Sequence, residues 1–114
     1  MAKLQSQKYR VCIDACNECM EACEICAVKC LHDENVKVLA RCVELCVTCS
    51  HACAAASVVM SGDSEFSKHV CELCAVVCNA CAQECEKHAT HMDHCKLCAE
   101  ICRRCEEECR RMTG

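Results

Sequence analysis

The chain contains no proline, only two glycines and only two aromatic residues, Tyr9 and Phe66, in 114. A sandwich, a barrel or a knottin needs many turns, and a sequence this poor in turn residues cannot supply them. No uninterrupted apolar run of roughly eighteen residues is evident, so no membrane span is expected. Met1 to Arg10 lacks the apolar core of a secretory signal, which points to the cytosol unless a leader has been removed. There is no basic block, and a formal net charge of -4 leaves no electrostatic footprint for nucleic acid. At this length a single domain over 1–114 is expected.

What the chain has is cysteine, 20 residues of 114, roughly twice the level at which a short chain reads as a cysteine scaffold. They fall in four groups. The first is Cys12, Cys16, Cys19, Cys23, Cys26 and Cys30; the second is Cys42, Cys46, Cys49 and Cys53. The third is Cys71, Cys74, Cys78, Cys81 and Cys85, and the fourth Cys95, Cys98, Cys102, Cys105 and Cys109. Every step within a group is three or four, in strict alternation, which places the side chains on one stripe of an α-helix. A sustained period of about 3.5 residues is the inward seam of packed, slightly supercoiled helices.

The segments between groups punctuate those helices. Asp33 in Leu31-His32-Asp33-Glu34-Asn35 is placed to N-cap a second helix. Ser61-Gly62-Asp63-Ser64-Glu65 offers a C-terminal glycine and then a capping Asp or Ser. Thr90-His91-Met92-Asp93 has capping-box spacing before the fourth group. Connections this short force neighbouring helices antiparallel, so the expected fold is all-α, an up-down four-helix bundle with a Cys-lined lumen. The expected helices run about 5–31, 34–61, 64–89 and 91–112, with residues 1–4 and 113–114 loose. Leu39, Ala56 and Met60 extend the second stripe, His88 the third and Met112 the fourth, while Tyr9 precedes the first. Small and aliphatic residues flank the stripes, among them Ala15, Ala27, Leu45, Ala75, Ala82 and Ile101, and can pack helix on helix.

One or two seam cysteines would read as small buried hydrophobes. Twenty would leave voids or a weakly driven core, so something should fill the lumen. Disulfides along a helix are within reach by distance, but the near-parallel Cβ vectors strain them, and cytosolic thiols stay reduced. Soft metal remains, as thiolates select Cu(I), Zn(II) and iron–sulfur clusters. A zinc site of four thiolates carries net charge −2, and burying many of them is costly. Cu(I) accepts two or three thiolates, and one ion per bridging thiolate neutralises the lumen. Linear coordination also fits thiols one helical turn apart. Iron–sulfur clusters normally sit in irregular Cys loops. The pattern therefore favours many Cu(I) ions.

Three segments carry a resemblance over essentially the whole chain: Cys12-Ile-Asp-Ala-Cys16-Asn-Glu-Cys19-Met-Glu-Ala-Cys23, Cys71-Glu-Leu-Cys74-Ala-Val-Val-Cys78-Asn-Ala-Cys81, and His88-Ala-Thr-His-Met-Asp-His94-Cys95-Lys-Leu-Cys98. With CxxxCxxC repeated on consecutive helices, the sequence resembles the bacterial copper storage proteins of the cytosolic type. The resemblance implies a lumen that holds many Cu(I) ions on Cys thiolates, a homotetramer of bundles, and a role in storing copper and lowering its free cytosolic level.

Antiparallel order puts Cys30, Cys42, Cys85 and Cys95 at one end, beside His88, His91 and His94 and near His32. Those three histidines are expected to form the mouth and to supply weaker, exchangeable ligands, as the family's mouth histidines also suggest. The other end is expected to hold Cys12, Cys53, Cys71 and Cys109, with Met60 and Met112 as core plugs rather than thioether ligands. His51 and His69 lie off the stripe and read as surface residues. The pairs Ile25 with Val28 and Leu73 with Val76 sit at helical spacing off the seam and hint at contact between bundles. The alternatives are a thiolate buffer or chaperone for Cu(I) or Zn(II), and a multi-thiol redox or cluster protein. An enzyme is not expected: the CxxC pairs have no βαβ context, and no nucleotide or Ser–His–Asp motif appears.

Overall fold

The structure, a computed structural model, describes residues 8–113. The expectations for residues 1–7 and 114 lie outside the described residues. Four helices account for the fold: α1 (Arg10–Leu31), α2 (Ala40–Ser61), α3 (Ser67–His88) and α4 (Asp93–Thr113). Each carries one cysteine stripe, and among the described residues there is no strand. The helices pack in chain order around a square, α4 closing against α1; among the described residues the backbones of diagonal helices stay apart. The diagonals meet through thiols on the axis, Cys23 with Cys81 at 4.0 Å and Cys53 with Cys105 at 3.9 Å. That arrangement is the antiparallel bundle, and it points all four stripes at one axis.

Three helices begin later than the sequence suggests, for local reasons. The second starts at Ala40 rather than 34, because Asp33 does not cap it. Its carboxylate accepts the Asn35 N–H at 2.8 Å, a local turn that competes with helix. Successive i to i+3 bonds, Val36 to Asp33, Val38 to Asn35 and Leu39 to Val36, then carry the chain to Leu39, which stands at the N-cap and is fully buried. The third starts at Ser67, since the Ser64 hydroxyl accepts the Phe66 N–H at 3.0 Å and forms a turn instead of a cap. The fourth starts at Asp93, and Thr113, expected to be loose, lies within it.

The α2–α3 turn also departs from expectation. Gly62 has φ −87°, and the left-handed residue is Asp63 at φ 51°. A short polar side chain tolerates that conformation, so the glycine's freedom is not what turns the chain.

α2 corrects the expectation about apolar runs. Cys, Ala and Val give it an 18-residue window of mean hydropathy 1.6, with at most two charged residues, so by length and composition it passes the test for a membrane span. Thr48, Ser50, His51 and Ser57 interrupt the run without lowering its mean enough. The same helix packs on α1 and α3 and turns four thiols inward, as a bundle helix does. α4 is its opposite outside. Arg103 takes both Glu86 oxygens at 2.9 Å and Asn79 at 2.6 Å, which ties α3 to α4. Arg104 reaches Glu18 of α1 at 3.4 Å.

Between the helices most buried residues are small, Ala15, Ala27, Ala52, Ala75, Ala82 and Ala99, with Ile13 of α1 the large exception. On the axis they are sulfur. No aromatic ring is buried among the described residues. The thiol column is the core.

Candidate metal centre

All twenty cysteines are buried, none more than 3% exposed, and all are free thiols. The stripes interdigitate as a continuous column. From one end, Cys12 meets Cys109 at 3.8 Å and Cys16 meets Cys105 at 3.7 Å. Cys53 touches Cys74 at 3.7 Å, Cys78 at 3.9 Å and Cys105 at 3.9 Å. Mid-column, Cys19 lies 3.6 Å from Cys102 and 3.9 Å from Cys49. Cys46 meets Cys81 at 3.7 Å and Cys42 meets Cys85 at 3.6 Å. Cys30, 4.0 Å from Cys26 and from Cys95, closes the other end. Most thiols touch several others: Cys23 has Cys19, Cys81, Cys98 and Cys102 within 4.0 Å.

Sulfur ligand atoms within 4.8 Å of one another recur along the column. Examples are Cys16, Cys74, Cys105 and Cys109; Cys19, Cys23, Cys49 and Cys102; and Cys26, Cys42, Cys46 and Cys85. The groups share members, since Cys19, Cys23, Cys46 and Cys105 each belong to two. A ligand shared by successive groups is a bridge, so the column is a ladder of overlapping sites. Thiols one turn apart, such as Cys19 and Cys23 at 4.0 Å, stand closer than a linear arrangement needs, about 4.6 Å at a metal–sulfur bond of about 2.3 Å. Bent or three-coordinate binding fits the spacing better, and the linear case requires a side-chain rotation.

Electrostatics restricts the ion. The buried polar residues are Ser50, Ser57, Ser67 and Glu84, so among the described residues no lysine or arginine is buried to balance thiolates. Burial pushes the Cys30 thiol up, and the neighbouring Cys26, Cys42 and Cys95 sulfurs add to the shift. At the far end Cys109 pulls the Cys71 thiol down, but the bond to Cys12 and burial outweigh it and leave Cys71 at about 12. A monovalent soft ion that replaces one S–H proton leaves the charge of the column unchanged. A divalent ion on four thiolates does not.

The ends differ. At the Cys30 end, His94 Nε2 stands 3.4 Å from Cys30 Sγ, so of the three expected mouth histidines this one touches the column. A groove between α1 and α4, lined by Ile25, Leu97, Asp93 and Lys29, leads to it. His88, half-buried, turns instead to Glu84, with Nε2 3.1 Å from Oε2. Glu84 also takes Lys87 at 3.2 Å and Arg41 at 3.6 Å. Burial works against its charge, yet the His88 and Lys87 bonds hold its carboxyl below the usual carboxylate range. His91 is exposed, as are His32, His51 and His69.

At the opposite end the expected layer is corrected. Cys53 lies one layer in, and the α2 residue at the end is Met60, fully buried with its Sδ 3.5 Å from Cys71 Sγ. Met112 and Tyr9 pack against the same core. Spacing alone had marked Met60 as inward-facing; it could not say that its sulfur meets a thiol.

A sequence profile for a family described as copper storage protein matches residues 5–114. The cysteine-rich protein YhjQ of Bacillus subtilis (strain 168), itself uncharacterized, is 44% identical over 82 residues, 72% of this chain and 76% of that one. Among solved structures, the Cu(I)-bound copper storage protein BsCsp3 is 43% identical with a TM-score of 0.87, covering 96% of this chain and 99% of that one. A cytosolic copper storage protein from Streptomyces lividans, determined with five coppers, is 34% identical with a TM-score of 0.91, covering 96% and 95%.

Proposed function

The chain belongs to the copper storage protein family, and from that premise we propose that its thiol column is a high-capacity store for Cu(I) that buffers and detoxifies copper in the cytosol. The observation that carries this reading is the ladder of twenty buried thiols with, among the described residues, no buried lysine or arginine beside it. Each incoming Cu(I) displaces a thiol proton, the proton leaves to solvent, and the sulfur then bridges to the next ion. The ligands are the twenty cysteines, with His94 at the mouth. His88 and His91, at the same end, act as transient acceptors on the way in. The protein stores copper without transforming a substrate, a reading supported by its likeness to solved copper storage proteins. Exposed Ile25, Val28, Leu73 and Val76 support assembly into a homo-oligomer, a tetramer by analogy with the family.

The test is an anaerobic titration of the reduced chain with Cu(I) against a chromophoric Cu(I) chelator, repeated with Zn(II). The expected result is tight uptake of on the order of fifteen to twenty Cu(I) per chain, following the number of soft donors, and much less zinc. Saturation at one or two ions would point to a chaperone. Iron and visible colour on anaerobic isolation would point to a cluster protein.

A further inference from the structure

The column must stop at both ends, and stopping is an electrostatic problem. Inside the ladder a thiolate is balanced because it bridges ions on both sides. A terminal sulfur has an ion on one side only, so a thiolate there keeps part of its charge in a dry site, which is costly. A neutral donor removes the difficulty. At the Cys30 end His94 can supply one. At the other end, on the same stripe and one step beyond Ala56, the residue is Met60.

Building on the storage reading, we propose that Met60 is a copper ligand: its thioether and the Cys71 thiolate form a terminal Cu(I) site beneath Cys12 and Cys109. Three observations carry this. Met60 and Cys71 are both fully buried, so the site is dry. Their sulfurs stand 3.5 Å apart with the Cys71 S–H aimed at Sδ, the shortest S–H···S bond among the described residues. Cys12 and Cys109, 3.8 Å apart, make the next rung. A plug needs only volume, which leucine would supply; this side chain instead presents its one soft atom to a thiol. Exchange of the shared proton for Cu(I), with rotation of the flexible Met60 side chain to widen the 3.5 Å gap between the sulfurs, turns S–H···S into thiolate–Cu–thioether. One thiolate, one neutral sulfur and one monovalent cation sum to zero. A thioether is a soft donor that suits Cu(I) and lies outside the Cys, His and carboxylate set that holds zinc, so the site is also selective.

The experiment uses the full chain labelled with 13C at the methionine methyl groups, loaded anaerobically with Cu(I) and, separately, with Zn(II). Met60→Leu assigns the Met60 signal; should that variant fail to fold, replacing the other methionines assigns it by elimination. The expected result is a Met60 methyl that shifts on Cu(I) saturation and not with zinc, while Met20 and Met92 stay in place. In folded Met60→Leu the last tightly held equivalent of Cu(I) is lost. Full copper uptake with an unmoved Met60 methyl overturns the proposal and leaves the storage reading standing. Failure of the wild-type chain to take up copper overturns both.

Discussion

The two ends of the lumen are made of the same four helices and differ in what closes them. At one end His94 meets Cys30 at 3.4 Å beneath a groove, amid charges from Glu84, Lys87 and Arg41. At the other Met60 meets Cys71 at 3.5 Å, with Met112 and Tyr9 packed nearby. An imidazole in a polar rim can collect an ion from water and pass it inward. A buried thioether has no such access, and it fits a place the ions reach last. The difference teaches that the store has a direction, although its thiols alone are arranged almost symmetrically.

The largest expected effect concerns the column common to both ends. Loading should raise the midpoint of thermal unfolding by well over about 10 °C, because each site filled to 100 times its Kd adds about 2.7 kcal/mol and about 1 kcal/mol moves a domain of this size by several degrees. Anaerobic calorimetry checks this, and equal midpoints for the empty and loaded forms would remove the lumen as the binding place.

Kinetics should separate the ends. His94→Ala should slow loading roughly tenfold, equivalent to about 1.4 kcal/mol on the barrier, with capacity nearly unchanged. Met60→Leu should leave the initial rate alone. Stopped-flow mixing with a Cu(I)–chelator complex measures both, and equal rates for His94→Ala and the wild type would erase the direction inferred above. Replacing His88 and His91 as well should add only a smaller delay.

In pH dependence the ends should behave alike. Cys30 is pushed up by burial and by its thiol neighbours. Cys71 is drawn down by Cys109, but the Cys12 bond and burial leave it at about 12. A folded pKa above the unfolded value of about 8.5 gives stability that is fully present below that value and is lost as pH rises through the folded pKa. Hydrogen bonds from neighbouring thiols draw Cys12 and Cys42 at these ends the other way, against burial. The part of the stability of the reduced, metal-free protein that Cys30 and Cys71 supply should therefore fall from about pH 8.5 upward. Denaturant midpoints of Cys30→Ser and Cys71→Ser against the parent over that range measure it. The loaded form, with no thiol protons to lose, should hold steady over that range.

The smallest effect belongs to the turn beside the Met60 end. Gly62→Ala should be neutral or stabilise by under about 1 kcal/mol, since φ is −87° and an added Cβ meets only the Val59 and Val58 carbonyl oxygens at 3.9 and 4.0 Å. A clear loss in denaturant midpoint would show that the turn needs its glycine after all.

The helices and their inward stripes were legible because alternating steps of three and four leave one solution for twenty side chains. The helix starts were not. Asp33 and Ser64 look like caps in sequence, and each closes a two-residue turn on Asn35 or Phe66 instead. The register between helices was also hidden, since it depends on those turns. That is why Cys53 was expected at an end it does not reach, with Met60 beyond it. Three histidines in seven residues marked the mouth, but which ring meets a thiol depends on α4 beginning at Asp93, and only His94 has that position.

The regularity of the stripes has a consequence for size. Two cysteines recur in every seven residues of each stripe, and seven helical residues rise about 10.5 Å. Across four helices one such segment adds eight sulfurs, with no new fold, loop or motif required. The lumen is thus graduated like a ruler, and its content is set by how many divisions the helices span. A chain of this design gains or loses capacity in whole divisions, at a fixed cross-section, by lengthening or shortening all four helices together.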